Sequence, residues 1–264
     1  MAGEVEFTQN QSGIALAYRH DNAEEPATGV LWLGGFMSDM AGAKAETVAA
    51  AARRAGRPCL RFDYSGHGLS GGLFTELTVS DWLAEAQHVF EHIARGPMII
   101  AGSSMGGYLA LLLVRRLAAE RSRHLGRIGG LMLLAPAVDM TEALLWASLD
   151  EGARRAIETR GEWLMKSRYG DGYRISRKLI EDGRRHLILH ERTKIDVPVR
   201  ILQGEADPEV PWRHALKVYE GLEGDDITFT LIKGGDHRLS SPRDLETIVE
   251  TVKALWLRAS PSER

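Results

Sequence analysis

Met98-Ile-Ile-Ala-Gly-Ser-Ser-Met-Gly-Gly-Tyr-Leu-Ala110 opens as a short apolar run, breaks into glycine and serine, and resumes as apolar sequence at helical spacing. Pro97 to Ala101 has the character of a buried strand and Tyr108 to Ala119 that of a helix. Between them Gly102-Ser-Ser-Met-Gly106 fits G-x-S-x-G, a sharp strand-to-helix turn that holds its middle serine up on a strained backbone. The flanking glycines fit the close approach of strand and helix, where a Cβ would clash. Ser104, at the centre of the motif, is therefore the candidate nucleophile, and Ser103 its rival.

The chain has 264 residues and a formal charge of -3, which gives no sign of a nucleic-acid partner. No run approaches the roughly 18 apolar residues that span a bilayer. The first residues carry neither a basic nor an apolar segment, and Cys59 is the single cysteine. Both features favour a reducing, cytoplasmic address without disulfides. Nothing in the sequence fixes an oligomeric state.

Outward from the elbow, apolar runs alternate with helical patterns. Glu4 to Thr8 and Ile14 to Arg19 flank Asn10-Gln-Ser-Gly13 as a hairpin. Gly29 to Leu33, Cys59 to Asp63, Leu131 to Ala135, Val199 to Gln203 and Ile227 to Ile232 complete about eight strands. An alanine-rich helix ends near Arg54, Thr78-Val-Ser-Asp81 offers a capping box to the next, and Asp244 to Leu257 closes the chain. The pattern predicts an α/β fold: one domain over residues 1–264, with a mostly parallel eight-stranded sheet covered by helices on both faces. The alternation fails once, over residues 139–193, which show helical but irregular sequence and no convincing strand; a helical cap insertion is expected there. From Glu151 to Arg200 this region carries 13 Lys/Arg against 8 Asp/Glu, which fits a solvated face or an attraction for anions.

Serine needs a base within hydrogen-bond reach and a carboxylate to orient that base. Arg200 to Pro211 is an apolar strand ending in Gly204-Glu-Ala-Asp207, and the next strand ends at Lys233-Gly-Gly-Asp-His237. The order Ser, Asp, His, each after a predicted strand, makes Ser104, Asp207 and His237 the candidate triad; Glu205 and Asp139 are rival acids. The N–H groups of Met105 and of Phe36, in the loop Gly34-Gly-Phe36, are the candidate oxyanion donors. Met37, Trp146, Trp163 and Leu239, with Phe36 and Met105, are expected to line an acyl pocket. His88-Val-Phe-Glu91-His92 matches H-x-x-E-H, but on a helical wheel it faces away from the Trp82, Ala86 and Ile93 stripe and has no third ligand, so no metal is expected. The chemistry calls for no organic cofactor either.

The elbow, Gly34-Gly-Phe36, Asp63-Tyr-Ser-Gly-His-Gly-Leu-Ser70, Asp207-Pro-Glu-Val-Pro211 and His237 together resemble the α/β-hydrolase superfamily over nearly the whole chain. More narrowly, Gly35-Phe-Met-Ser-Asp39, Arg61-Phe-Asp-Tyr-Ser-Gly66, Gly102 to Gly107 and Val210-Pro-Trp212 resemble a mitochondrial branch of that superfamily. The resemblance implies a serine esterase or thioesterase acting on acyl substrates, including palmitoyl thioesters, acylated protein and acyl glucuronides, and carries Ser104, Asp207 and His237 over as the triad. Gly34 departs from the superfamily, many of whose members have His there. Hydrolysis of a carbon-carbon bond would use the same triad, and a non-catalytic ligand receptor is a further alternative; a substrate panel and a fluorophosphonate probe separate them.

Overall fold

The computed structural model describes residues 3–21, 27–167 and 170–259. The opening hairpin forms as expected, β1 (Val5–Gln9) antiparallel to β2 (Ala15–Asp21). Then follow β3 (Gly29–Leu33), α1 (Ala43–Arg54), β4 (Cys59–Phe62) and α2 (Val79–His88). The capping box of α2 is present in full: Thr78 accepts from the Asp81 N–H and the Asp81 carboxylate accepts from the Thr78 N–H. Beyond it lie β5 (Met98–Ser103), α3 (Met105–Ala119) and β6 (Ile128–Leu134).

Residues 139–193 depart from the expectation of an all-helical insertion. After a π-helical turn at Met140–Trp146 come α4 (Glu151–Arg160), an antiparallel hairpin of β7 (Glu162–Ser167) and β8 (Gly170–Ser176), and α5 (Arg177–Gly183). Tyr169, one of the aromatics noted in this stretch, lies outside the described residues. Asp150 caps α4 by accepting from the Ala153 N–H, and Gly161 ends it at φ 85°, a left-handed turn that directs the chain into β7. β9 (Thr193–Lys194) pairs with β11 (Leu222–Glu223), outside the main sheet. β10 (Val199–Gly204), α6 (Trp212–Gly221), β12 (Ile227–Ile232) and α7 (Pro242–Ala259) complete the order.

The main sheet has eight strands in the order β1-β2-β4-β3-β5-β6-β10-β12. The pairings from β4 through β12 are parallel, and β2 joins β4 antiparallel. Strand periodicity divides the core. Leu31, Leu33, Ile100, Leu131 and Leu133 point into the layer shared with α2 and α3, whereas Val30, Trp32, Ile99, Ala101 and Met132 point into the layer closed by α1 and α7. Burial on both faces explains why these strands are continuous apolar runs. It also directs polar residues to the strand ends, and β3, β5, β10 and β12 are parallel neighbours or near neighbours whose C-terminal ends open on one edge of the sheet.

Candidate active site

Ser104 stands where β5 turns into α3, at φ 54° and ψ −115°. A non-glycine residue there is strained by about 1–3 kcal/mol and persists only where its surroundings hold it. They do: the Ser104 N–H donates to the Leu134 carbonyl at 2.8 Å, and its own carbonyl accepts from Ala137 at 3.1 Å. The elbow glycines leave no room for anything larger. A Cβ on Gly102 would overlap the Gly106 carbonyl, and one on Gly106 would overlap that of Leu33 and stand 2.6 Å from that of Gly34. Ser103 is the last residue of β5 and buried; Ser104 is half-buried.

Asp207, buried in the turn after β10, uses both carboxylate oxygens. Oδ2 meets His237 Nδ1 at 2.8 Å and accepts from Gln203 Nε2 at 3.1 Å, while Oδ1 accepts the N–H groups of Glu209 and Val210, each at 2.9 Å. Gln203 escaped the sequence reading. It is a fully buried amide at the end of an apolar strand, and that mismatch is the signal that could have found it.

His237 lies in the turn after β12. That turn is fastened by Leu239, which is fully buried at φ 44°, and by Lys44 Nζ, which donates to the Arg238 carbonyl at 2.7 Å. Leu239 thus sits in the core with α1 and α7, not against substrate space. Burial holds the Lys44 ammonium down to about 8, although the nearby carboxylates of Asp207, Asp236 and Glu209 favour its charge.

Ser104, Ser103 and His237 share the wall of a cavity of about 590 Å³. Among the described residues no hydrogen bond joins Ser104 to His237; Nε2 of the imidazole instead lies 3.5 Å from Glu209 Oε2. The apolar wall includes Phe36, Met37, Met140, Leu144, Met165 and Tyr173, so the β7–β8 hairpin reaches the cavity through two side chains. Met105, Trp146 and Trp163 do not line it. Met105 is buried at the head of α3, where first-turn N–H groups have no acceptor within the helix. Trp146 lies under the guanidinium groups of Arg154 and Arg184, and Trp163 is on the outer side of the hairpin, 38% exposed.

The loop after β3 is clamped from beneath. The Met40 N–H donates to Asp63 Oδ1 at 2.6 Å and its carbonyl accepts from Arg61 at 2.9 Å. Above this, the Phe36 ring meets Phe74, Trp82 and Tyr173 edge-on at centroid distances of 5.0, 5.8 and 5.2 Å. Phe36 therefore joins the loop to the hairpin.

Other sequence candidates have other occupations. Asp139 is buried and accepts from the Ile188 and Leu189 N–H groups at 2.8 and 3.0 Å, fastening the return of residues 139–193. Glu205 pairs with Lys233 at 2.5 Å. His88 meets Thr8, and Glu91 accepts from Gln87 and Ser122; among the described residues no group of three or more His, Cys, Asp or Glu could hold a metal. Burial pushes the Cys59 thiol up to about 12, which keeps it un-ionised. Among the described side chains, residues 139–193 contribute no cation to the cavity wall; Arg184 and Arg185 pair with Glu142 and Asp182.

Comparison with known proteins finds relatives over most of the chain. The family described as "Serine aminopeptidase, S33" matches residues 25–178. Mouse palmitoyl-protein thioesterase ABHD10, mitochondrial, is 34% identical over 244 residues, covering 91% of this chain and 78% of its own. The crystal structure of a putative hydrolase from Agrobacterium vitis has a TM-score of 0.89 at 38% identity, covering 96% of this chain and 98% of that one. The mouse α/β-hydrolase domain-containing protein 10 has a TM-score of 0.85 at 31% identity, covering 97% of this chain and 100% of its own. With its eight-stranded sheet, strained elbow serine and relatives of this kind, the chain belongs to the α/β-hydrolase family that includes ABHD10.

Proposed function

We propose that this protein is a serine hydrolase that cleaves carboxylic ester or thioester bonds of apolar acyl substrates through Ser104, Asp207 and His237. One observation carries the reading: a strained serine and a histidine whose Nδ1 is 2.8 Å from a buried carboxylate share one cavity. His237 Nε2 takes the Ser104 proton as Oγ attacks the acyl carbonyl. The N–H groups of Phe36 and Met105 stabilise the tetrahedral oxyanion, the latter helped by the positive end of α3. The leaving alcohol or thiol departs with the proton from Nε2. Water activated by the same imidazole then releases the acid, while Asp207 fixes the tautomer and stabilises the imidazolium.

The cavity walls support an apolar acyl substrate. Phe36, Met37, Leu144 and Met165 offer an apolar acyl site, and the relatives named palmitoyl-protein thioesterase support acyl thioesters among its substrates. In this reading the chain is a single domain, and residues 139–193 form a cap that supplies part of the acyl wall through Met165 and Tyr173. The address proposed is cytoplasmic, favoured by the lone, buried Cys59, although the mouse relative's name says mitochondrial of that protein. Among the described residues no helix is long and apolar enough to cross a membrane. Ser104→Ala is expected to lower kcat on p-nitrophenyl octanoate by about 10⁴ with an unchanged circular dichroism spectrum. Wild-type turnover in the folded variant would refute the assignment.

A further inference from the structure

We propose that Glu209 selects the leaving group, and that the alcohol it favours carries a neutral hydroxyl beside the scissile ester oxygen; this rests on the triad reading above. The leaving oxygen takes its proton from His237 Nε2, so whatever is attached to that oxygen passes close to Nε2. The carboxylate standing there is Glu209, with Oε2 at 3.5 Å and a side chain 41% exposed, on the cavity wall. Its place is set by its own backbone, whose N–H donates at 2.9 Å to the same Asp207 that meets His237. The chemical steps do not use it.

A carboxylate only accepts hydrogen bonds, so the group that complements it is a donor. The neighbouring charges favour a neutral donor over an ammonium. Among the described residues, Lys44 and Arg238 line the same cavity as Glu209 and Asp39, two cations against two carboxylates, and Ser38 and Ser240 add hydroxyls. When the tetrahedral intermediate collapses, the C–O bond breaks with its electron pair remaining on the leaving oxygen, which receives the Nε2 proton. The adjacent hydroxyl keeps its own proton and donates to Glu209. A methyl in its place would set an apolar group against the carboxylate.

The test compares 2-hydroxyethyl octanoate with propyl octanoate, which has a methyl where the first has the hydroxyl, and with carboxymethyl octanoate. Wild-type kcat/KM is expected to be about tenfold higher for the hydroxyethyl ester than for the propyl ester. Glu209→Ala brings that ratio to about one, and Glu209→Gln, which still accepts a hydrogen bond, keeps most of it. A wild-type ratio near one overturns the proposal without any variant, and so does a ratio that survives in Glu209→Ala. A preference for the carboxymethyl ester that disappears in Lys44→Met would give the selection to the cation and overturn it too. Failure of the wild type to hydrolyse any of the three esters would instead overturn the esterase reading, and this proposal with it.

Discussion

Asp139→Asn and Asp207→Asn separate the two buried aspartates that a sequence reader would weigh as the triad acid. The Asp139 carboxylate accepts the Ile188 and Leu189 N–H groups at 2.8 and 3.0 Å. Asparagine keeps one acceptor but turns an NH₂ donor towards the other N–H, losing a charge-assisted bond and leaving a buried donor unpaired. Together these cost about 2–4 kcal/mol. The backbone adds nothing, because asparagine tolerates the left-handed conformation that Asp139 adopts at φ 55°. For a chain of this size the loss corresponds to a fall in Tm of roughly 4–16 °C. Asp207→Asn leaves His237 with a poorer partner and the wrong tautomer, which in a serine triad lowers kcat by about 10⁴. Thermal denaturation followed by circular dichroism, with p-nitrophenyl octanoate kinetics below the transition, reads both effects. The reasoning is refuted if Asp139→Asn keeps its Tm and loses most of its kcat while Asp207→Asn stays active.

Leu239→Ala empties a fully buried site and is expected to cost about 2–4 kcal/mol in urea denaturation. Because Leu239 fastens the turn that carries His237, the kinetic effect should be on kcat; a rise in KM alone would return Leu239 to the substrate. Acid should loosen the anchorage of residues 182–186. Burial pushes the Asp182 carboxyl up, but the Ser80 N–H and hydroxyl, His186 and Arg185 outweigh it and hold it below the usual aspartate value. A depressed folded pKa means that the stability gained is complete above about pH 4 and is lost as the pH falls through that lower value. Urea midpoints from about pH 5 down to about pH 2.5 should fall less steeply in Asp182→Asn than in the wild type, and equal slopes would count against this role.

The parts of the fold that were legible are those fixed locally. Buried strands such as Val30-Leu-Trp-Leu33 announce themselves because both faces are covered, and the Thr78 box and the elbow are signatures within a few residues. The order of Ser104, Asp207 and His237 was legible because each follows a strand of the parallel sheet. The β7–β8 hairpin was not. Trp163 and Leu164 are adjacent and both exposed, so β7 lacks alternation, while the Tyr173-Arg-Ile175 alternation in β8 is too short to stand out from helical sequence. Which cavity a large apolar side chain faces is a tertiary property. Trp146 under two guanidinium groups and Leu239 in the core have the composition of pocket residues and neither the place nor the contact. Gln203 and Glu209 were missed because their meaning comes only from Asp207 and His237, from which they are inseparable in space.

The central claim is that Ser104 is the nucleophile, and covalent labelling tests it most directly. Treated with a fluorophosphonate and read by intact-mass spectrometry with peptide mapping, the protein should gain one adduct, on the peptide containing Ser104. The adduct should disappear in Ser104→Ala and persist in Ser103→Ala. An unlabelled wild-type protein, or an adduct that survives Ser104→Ala, would contradict the account.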